Sequence, residues 1–275
     1  MRISVLSGKG GTGKTFISVN LAYAANDGLY IDCDVEEPNG RIFLKPELQL
    51  VEKVKVMLPT VDMDKCSGCK TCVHFCKYNA LAYVKNKLLI FPELCHACGG
   101  CVMLCSNGAL AETRRAIGIV EYGQSGKIKT RTGVLNTGEA TGIPVIKHLL
   151  TDIPNEGLVV IDCPPGSSCA VMESIKDSDY CILVAEPTLF GVHNLSMVYK
   201  LVKLFDKPHG VIINKAIEGE TVVEDYCREN EIPILMTIPY ELEIGLLNSQ
   251  GMLVGQKDKY FSIFNKVLQK IKKEV

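Results

Sequence analysis

The stretch from Ile3 to Thr15 reads Ile-Ser-Val-Leu-Ser-Gly-Lys-Gly-Gly-Thr-Gly-Lys-Thr, and it indicates the fold of the whole chain. Its first four residues predict a short strand, and the part from Gly8 to Thr15 fits the pattern G-x4-G-K-S/T. Ile17 and Leu21 follow at helical spacing, so a helix should begin directly after the loop. Strand, glycine-rich loop and helix in this order predict an α/β fold with a doubly wound, mostly parallel sheet.

A loop of this composition is typical of phosphate-binding sites. Glycines let the backbone turn its N–H groups toward phosphate oxygens, and the helix that follows directs its positive end at the same anion. The motif predicts that Lys14 reaches the β- and γ-phosphates of a nucleotide and that Thr15 binds Mg²⁺. The other loop residues expected at the ATP site are Gly8, Lys9, Gly10, Gly11, Thr12 and Gly13. A glycine-rich turn with incidental lysines is the alternative interpretation.

The run from Leu158 to Asp162 is apolar and ends in an acid. Such a run is typical of a strand in a parallel sheet that helices cover on both faces. Ligands bind beyond the carboxyl ends of these strands, so we expect Asp162 to contact Mg²⁺ through water. Residues 29–34, 180–185 and 210–215 predict further strands of the same sheet.

A four-cysteine pattern, C-x2-C-x2-C-x3-C, occurs twice between these strands. The first copy consists of Cys66, Cys69, Cys72 and Cys76, and the second, twenty-nine positions later, of Cys95, Cys98, Cys101 and Cys105. Ala80-Leu81 recurs as Ala109-Leu110 at the same offset, so the unit is duplicated. Cysteines at steps of three residues place their thiolates around one corner of an iron–sulfur cubane. Structural zinc sites, which usually pair two C-x2-C units, and disulfides, which suit exported proteins, are the competing interpretations.

Residues 60–110 resemble the bacterial-type ferredoxins that hold two [4Fe-4S] clusters. In that family the fourth cysteine of each run serves the other cluster. The resemblance therefore assigns Cys66, Cys69, Cys72 and Cys105 to the first cluster, and Cys95, Cys98, Cys101 and Cys76 to the second. Lys77 and Ser106 follow the fourth cysteines where these ferredoxins usually have proline, which affects the expected potential rather than ligation.

The phosphate-binding loop also contains Lys9, and K-G-G-T-G-K-T resembles the deviant Walker A loop of the MinD, ParA and nitrogenase iron protein superfamily. In that superfamily the first lysine crosses a dimer interface, which implies a catalytic Lys9 and a homodimer or a heterodimer with a related ATPase. The resemblance also implies that Asp34 positions the attacking water and that Asp32 supports the Mg²⁺ environment. It further implies that Asn214 reads adenine and that Pro239 lies near the base. An Asp-rich strand end and a turn asparagine are the alternatives.

The chain as a whole closely resembles MinD-superfamily P-loop ATPases that contain an inserted ferredoxin domain. We expect the ATPase domain to comprise residues 1–59 and 111–275, interrupted by a ferredoxin-like α+β insert at residues 60–110. Alternating residues at 51–58 and 116–135 predict strands that link insert and core, the second within a linking region at 111–140. Residues 162–166 resemble the Mrp/Nbp35 branch, which is associated with cluster transfer. No C-x-x-C pair of the Mrp kind follows residue 105.

Composition limits the other possibilities. With 275 residues, a net charge of −1 and 47% hydrophobic residues, the chain suits one large core and a small insert, without a nucleic-acid-binding patch. We expect no signal peptide and no stable membrane insertion, and hence a cytoplasmic protein. The segment from Tyr260 to Lys273 could imitate the membrane-binding tail of MinD, but a final helix packed on the sheet is the simpler interpretation.

These features predict an ATPase, slow without its partner, that couples nucleotide state to electron transfer through two [4Fe-4S] clusters toward an unknown redox protein. One alternative is an ATP-dependent carrier that transfers clusters to an acceptor protein. Another is a redox-sensing regulatory protein switched by nucleotide. Eight cysteines in a closed two-cluster pattern favour clusters that stay bound.

Overall fold

A central sheet with helices on both faces organises the computed structural model, which describes residues 1–274. The strands are β1 (Arg2–Leu6), β2 (Gly28–Asp32), β3 (Glu47–Val61), β4 (Leu81–Val84), β5 (Lys87–Ile90), β6 (Leu110–Ser125), β7 (Ile128–Leu135), β8 (Val159–Asp162), β9 (Tyr180–Ala185), β10 (His209–Ala216) and β11 (Ile234–Pro239). The helices are α1 (Lys14–Ala25), α2 (Gly40–Leu44), α3 (Thr71–Phe75), α4 (Gly100–Met103), α5 (Ile143–Leu149), α6 (Cys169–Ile175), α7 (Leu189–Leu204), α8 (Val222–Glu229), α9 (Leu242–Ser249) and α10 (Asp258–Glu274). Short 3-10 turns span Pro92–Leu94 and Val254–Gln256. Val275, the end of the second predicted ATPase part, lies outside the described residues.

Nine of the strands in residues 1–274 form one sheet, in the order β11-β10-β9-β1-β8-β2-β7-β6-β3. Neighbouring strands from β11 to β7 are parallel, whereas β7, β6 and β3 pair in antiparallel fashion. The prediction of an α/β fold with a mostly parallel sheet is confirmed. Asp32 and Asp162 are direct partners in the pairing of β2 with β8, so two acids lie side by side at the carboxyl end of the sheet.

Helices cover both faces of this sheet and produce two hydrophobic cores. Leu183 of β9 belongs to the core formed with α5, α6 and α7, and Ile182 belongs to the core formed with α1 and α10. Successive strand residues point to opposite faces of a sheet. Because helices cover both faces, both side chains are fully buried. Each contributes about 1.5–3 kcal/mol through burial. Burial on both faces explains why β9 is a continuous apolar run.

The last helix, α10, contains the segment from Tyr260 to Lys273, whose pattern of apolar and basic residues could imitate a membrane-binding tail. Its buried residues are Tyr260, Phe264, Val267, Leu268 and Ile271. The Phe264 ring packs edge to face on Phe16 of α1, with ring centroids 6.2 Å apart. The apolar stripe therefore packs against α1, in the core on one face of the sheet. Within residues 1–274, no helix combines the length and the apolar character needed to cross a membrane.

A long antiparallel ribbon of β3 and β6 connects the sheet to the cysteine runs. β3 pairs with β6 from Glu47 to Val61, but β7 pairs only with the half of β6 from Gly118 to Ser125. The other half of the ribbon therefore extends past β7. Residues 62–109, which we call the cysteine lobe, follow at its end with a small β4–β5 sheet and a small core. The predicted boundaries at residues 60 and 110 fall at this end, and the division into domains stays a prediction.

The sequence repeat is also a repeat of backbone structure. α3 and α4 begin twenty-nine positions apart, at Thr71 and Gly100, and the outer end of the ribbon is related to the β4–β5 pair by the same offset. Left-handed backbone recurs at three pairs of positions with this offset: Gly68 and Ala97, Lys70 and Gly99, Asn79 and Gly108. Both cysteine runs therefore adopt the same loop conformation, although glycine occupies different positions in each.

Candidate functional site

The glycine-rich loop between β1 and α1 lines a cleft of about 720 Å³. Gly13 has a φ of 92° directly before α1, and a Cβ there would lie 2.2 Å from Asn214 Nδ2. Glycine is required at this turn for both reasons. Of the predicted loop residues, those that line the cleft are Lys9, Gly10, Gly11, Gly13, Lys14 and Thr15, while Gly8 and Thr12 do not line it. The cleft therefore has the loop and helix N-terminus that suit a phosphate group.

The side chain of Lys14 lies between two acids. Its Nζ is 2.5 Å from Asp162 Oδ1 and 3.6 Å from Asp34 Oδ2. Burial lowers the pKa of Lys14, but the charges of Asp162 and Asp34 outweigh burial and raise the pKa above its usual value. Lys14 thus neutralises acids that are predicted to surround Mg²⁺. Binding of a Mg-nucleotide would draw the ammonium away from them, toward the phosphates.

Asp32 and Asp34 have different surroundings. Asp32 is fully buried and accepts hydrogen bonds from the backbone N–H groups of Asp34, at 3.2 Å, and Gly40, at 2.9 Å. Burial and the neighbouring Asp162 raise the pKa of Asp32. Asp34 lines the cleft, and burial raises its pKa to about 6. Asp32 therefore shapes the loop, and Asp34 is the acid that this loop presents to the cleft.

Tyr30 is a further member of the site that the sequence pattern does not single out. Its hydroxyl donates a hydrogen bond to Asp162 Oδ2 at 3.0 Å, and its side chain is fully enclosed. Burial raises the pKa of Tyr30, so the phenol remains a donor at neutral pH. Asp162 therefore contacts Lys14 with one oxygen and Tyr30 with the other. An aromatic residue in a strand signals only a core position in the sequence.

The hydroxyl of Thr12 supplies a test of whether the loop fits a nucleotide. Its Oγ1 is buried and has no hydrogen-bond partner within residues 1–274. A buried hydroxyl without a partner costs free energy. A phosphate oxygen or an ordered water held by the loop is the kind of partner that it lacks. Because Thr12 does not line the cleft, its hydroxyl indicates a polar partner held within the loop, and the fit to a Mg-nucleotide rests on Lys14 and Thr15, which line the cleft.

Lys9 is paired with an acid on its own chain. Glu186 Oε2 lies 2.6 Å from Lys9 Nζ, and Glu186 Oε1 lies 2.7 Å from Lys215 Nζ. Hydrogen bonds from both lysines lower the pKa of Glu186, although burial opposes the shift. Glu186 is the first residue after β9, and β9 is the parallel neighbour of β1, so the sheet order brings the acid beside the loop. Glu186 and Lys215 are site residues that had no predicted role.

Asn214 and Pro239, the residues expected near adenine, do not line the cleft. Asn214 is 5% exposed, and its Nδ2 donates to the backbone oxygen of Thr12 at 2.8 Å. Pro239 lines a separate cavity of about 170 Å³ that α9 and α10 also line. In this structure Asn214 supports the phosphate-binding loop. The adenine role of both residues stays a prediction.

The eight predicted cluster cysteines surround two cavities in the cysteine lobe. Cys66, Cys69, Cys72 and Cys105 line the first cavity, and Cys76, Cys95, Cys98 and Cys101 line the second. Each cavity thus has three cysteines from one run and the fourth from the other. This is the grouping that two-cluster ferredoxins use. The donor set of four thiols in each cavity is the set that a [4Fe-4S] cluster requires. The cavities differ in volume, about 20 Å³ and 260 Å³, so the four thiols of the first would have to move apart to admit a cluster.

Hydrogen bonds orient several of these sulfur atoms. The donors are Thr71 Oγ1 to Cys69 Sγ at 3.4 Å, Ala97 N to Cys95 Sγ at 3.4 Å, and Ala109 N to Cys105 Sγ at 3.3 Å. Such bonds hold ligands in place and tune clusters. Burial raises the pKa of Cys101 to about 11, so metal binding would displace its proton.

A site for a single metal ion is a different matter. Among residues 1–274, no three His, Cys, Asp or Glu side chains are grouped closely enough to hold one ion. A four-iron cluster is larger than an ion, so its ligands stand apart around a cavity. The [4Fe-4S] clusters stay predictions. So does the Mg²⁺ site, for which the predicted ligands are Thr15, Asp32 and Asp162.

Known proteins resemble both the sequence and the fold. Residues 3–254 match the family described as the CobQ/CobB/MinD/ParA nucleotide binding domain. The chain is 30% identical over 279 residues to the uncharacterized protein MJ0578 of Methanocaldococcus jannaschii, covering 99% of this chain and 96% of that protein. The cell division ATPase MinD of Pyrococcus furiosus has a similar fold, with a TM-score of 0.60, 19% identity and coverage of 100% of this chain and 99% of that one.

A second solved structure gives the same result. The septum site-determining protein MinD of Pyrococcus horikoshii, complexed with Mg-ADP, has a TM-score of 0.59 and 18% identity, covering 98% of this chain and 95% of that one. At these identities the two structures show the shared fold. The ferredoxin-like nature of the lobe and the Mrp/Nbp35 assignment stay predictions. Because the family match covers most of its length, this chain belongs to the CobQ/CobB/MinD/ParA family of nucleotide-binding proteins.

Proposed function

We propose that this protein hydrolyses ATP and that its nucleotide state controls electron transfer through two [4Fe-4S] clusters in the cysteine lobe. The observation that carries the proposal is the pair of four-cysteine cavities at the end of a ribbon that belongs to the nucleotide-binding sheet. The clusters would supply one-electron chemistry at sulfur-bound iron. The crosswise cysteine sets would hold them, with Cys105 completing the first set and Cys76 the second.

The nucleotide part of the proposal assigns one task to each group in the cleft. The loop amides and Lys14 bind the phosphates, while Thr15 and Asp162 hold Mg²⁺. Asp34 faces the cleft, and at neutral pH its carboxylate is mostly ionised because its pKa is about 6. An ionised carboxylate can accept a hydrogen bond from water and orient it for attack. Membership of a family that includes P-loop ATPases supports hydrolysis of ATP.

Contacts of residues that follow Asp34 in the chain join this segment to β7 and to the ribbon. Val35, the next residue, accepts a hydrogen bond through its backbone oxygen from the N–H of Leu135, at 2.8 Å. Leu135 ends β7, which pairs with β6 of the ribbon. In addition, Arg41 of α2 lies 3.3 Å from Glu121 of β6. A change at Asp34 on nucleotide binding or hydrolysis would therefore act on the strands that carry the cysteine lobe.

The proposal includes a dimer, either of two copies or with a related ATPase. Lys9 would leave Glu186 and contact the nucleotide of the partner subunit, where its charge stabilises the transferred phosphoryl group. Hydrolysis is then slow in the absence of the partner. The electron acceptor is a second protein that docks near an exposed ligand, and Cys69 and Cys98 are the exposed cysteines of the two sets.

Anaerobic reconstitution of the full chain with iron and sulfide tests this function. We expect about eight irons per chain, and an EPR spectrum of the reduced protein that changes when Mg-ATP is added. The variant Lys14→Gln should keep the iron but lose the response to Mg-ATP. Stoichiometric zinc in place of iron, or an EPR spectrum that is the same with and without Mg-ATP, would refute the proposal.

A cluster carrier is the second candidate, and the exposure of one cysteine in each set favours it. A carrier must open its ligand set to an acceptor, and an exposed thiolate is the first that can be exchanged. The two functions differ in what remains after turnover. Repeated ATP hydrolysis in the presence of an apo-ferredoxin should leave the iron bound to this chain if it transfers electrons, and should move iron and sulfide to the acceptor if it is a carrier.

A further inference from the structure

Arg115 of β6 connects the ribbon with the turn that leads into the second cysteine run. Its Nη2 donates to the backbone oxygen of Pro92, at 3.4 Å, and forms an ion pair with Glu139. The same Pro92 oxygen accepts a hydrogen bond from the N–H of Cys95, at 3.2 Å. The guanidinium therefore lies beside the first ligand of the second set.

Glu139 lies in the loop of residues 136–142, and this loop is attached to the nucleotide cleft at both ends. At one end the N–H of Leu135 binds the oxygen of Val35. At the other end Gly142 lines the cleft, and a Cβ there would lie 2.4 Å from a methyl group of Val35. Val35 follows Asp34 directly. The two ends of the loop therefore contact the residue next to the acid that faces the nucleotide.

Burial makes the pair of Arg115 and Glu139 sensitive to movement of this loop. The Glu139 side chain is 8% exposed, so Arg115 rather than water is the partner of its carboxylate. Arg115 Nε is buried and has no hydrogen-bond partner within residues 1–274, so the guanidinium is incompletely satisfied as it stands. A shift of the loop would either carry the guanidinium with it or break the pair. Either outcome changes the contact with Pro92.

We propose that Arg115 and Glu139 link the nucleotide cleft to the second cysteine set, so that a change at Asp34 and Val35 repositions Cys95. Arg115 acts as a positioning residue of that set. The inference rests on the nucleotide part of the proposed function, because it assumes that the cleft binds nucleotide. Asp34 Oδ2 lies 3.6 Å from Lys14 Nζ. Mg-nucleotide would draw Lys14 away from Asp34, and this change at Asp34 is the signal that the link would carry.

Hydrogen–deuterium exchange of the reconstituted full chain tests the link, with Mg²⁺ and a non-hydrolysable ATP analogue as the probe. In the wild type we expect the analogue to change exchange at residues 92–98 by about threefold or more. Glu139→Gln and Arg115→Gln should abolish that change while they keep analogue affinity within about twofold and iron content unchanged. The double variant should lose no more than either single variant, because both remove the same link.

Two further variants serve as controls. Arg114 is the neighbouring exposed arginine on β6 and forms no ion pair within residues 1–274, so Arg114→Gln should respond as the wild type does. Arg115→Lys keeps the charge and should retain part of the response, which a loss of folding would not allow.

Each outcome either supports or overturns the link. A full response in Glu139→Gln overturns it, and so does a wild-type chain that binds iron and the analogue without a response at residues 92–98. If the chain binds no iron but residues 92–98 still respond through Glu139, the proposed electron transfer fails while the link stands. Because Glu139 touches no cysteine, Glu139→Gln remains informative if Arg115→Gln loses iron.

Discussion

Lys9 and Glu186 form an ion pair of 2.6 Å within one chain. Lys215 binds the other oxygen of the same carboxylate and also donates to the backbone oxygen of Gly11, at 2.8 Å. The Lys9 ammonium lies 5.1 Å from the centre of the Phe190 ring as well. Glu186 thus holds two lysines against the phosphate-binding loop. A Lys9 that reaches the nucleotide of a partner subunit must first leave this carboxylate.

The variant Glu186→Gln should favour the dimer. The lost pair is partly exposed and contributes about 0.2–1 kcal/mol to each monomer. Because a dimer of two variant chains loses two such pairs, we expect dimerisation with a Mg-bound ATP analogue to tighten by roughly two- to 30-fold. Analytical ultracentrifugation gives the dissociation constant. Glu218→Gln removes an exposed acid that forms no ion pair within residues 1–274, and it should leave the constant unchanged. Weaker dimerisation of Glu186→Gln would mean that Glu186 supports the interface instead.

Lys14 should stabilise the nucleotide-free protein as well as bind phosphate. Its partner Asp162 is fully buried, so Lys14→Met leaves a buried carboxylate without its counterion. Breaking a buried pair costs about 3–5 kcal/mol, and we expect about 3 kcal/mol because Tyr30 still donates to Asp162. Urea denaturation without nucleotide measures this loss. The double variant Lys14→Met, Asp162→Asn should recover part of it, and a purely additive double variant would contradict the pairing.

The sequence predicts those parts of the fold and site that depend on local pattern. Three such patterns are the G-x4-G-K-S/T loop, the acid at the end of an apolar strand and the four-cysteine run. Each is contained in a segment of about eleven residues or fewer, so each can be recognised without knowledge of the fold. The contact of Lys9 with Glu186 depends instead on β9 lying beside β1, and sheet order is not written in either segment. In the same way, the sequence predicts strands on either side of the cysteine runs, but it does not predict the parallel pairing of β7 with β2. That pairing is what joins the ribbon to the cleft.

Because Asp34 keeps its proton to a higher pH in the folded state than in the unfolded state, the protein without nucleotide should become less stable as pH rises. Burial is the main cause of its raised pKa, about 6, while Lys14 lowers the pKa and Asp162 and Glu37 raise it. Because the folded pKa exceeds the ordinary value near 4, the folded state retains a proton that the unfolded state loses between about pH 4 and pH 6. The free energy of unfolding therefore falls across this interval and then stays lower.

Asp34→Asn removes that effect. We expect the variant to be more stable than the wild type by about 2 kcal/mol near pH 8, with a difference that vanishes near pH 4. Urea denaturation at several pH values, without nucleotide, measures the difference. Asp27→Asn, at an exposed position, should show no such trend. A stabilisation that is larger near pH 4 than near pH 8 would show that Asp34 is not the group responsible.

Asn214 should support the phosphate-binding loop in the absence of nucleotide. Asn214→Ala leaves the backbone oxygen of Thr12 without its buried donor and should lower the free energy of unfolding by about 1 kcal/mol. Asn248→Ala, at an exposed residue that lines the cleft, is the matched control and should cost little. Binding of ATP and GTP to both variants then tests the adenine role. A loss of preference for ATP with unchanged stability would favour base reading over loop support.

Cys105→Ser should remove the first cluster, although Cys105 belongs to the second cysteine run. The structure groups Cys105 with Cys66 around the first cavity and Cys95 around the second. After anaerobic reconstitution we expect about four irons per chain in Cys105→Ser, against about eight in the wild type and in Cys169→Ser, a control at an exposed cysteine of α6.

Double variants identify the set to which Cys105 belongs. Cys105→Ser with Cys66→Ser should still bind about four irons because both changes affect one cluster, whereas Cys105→Ser with Cys95→Ser should bind almost none. The reverse pattern would mean that each run binds its own cluster.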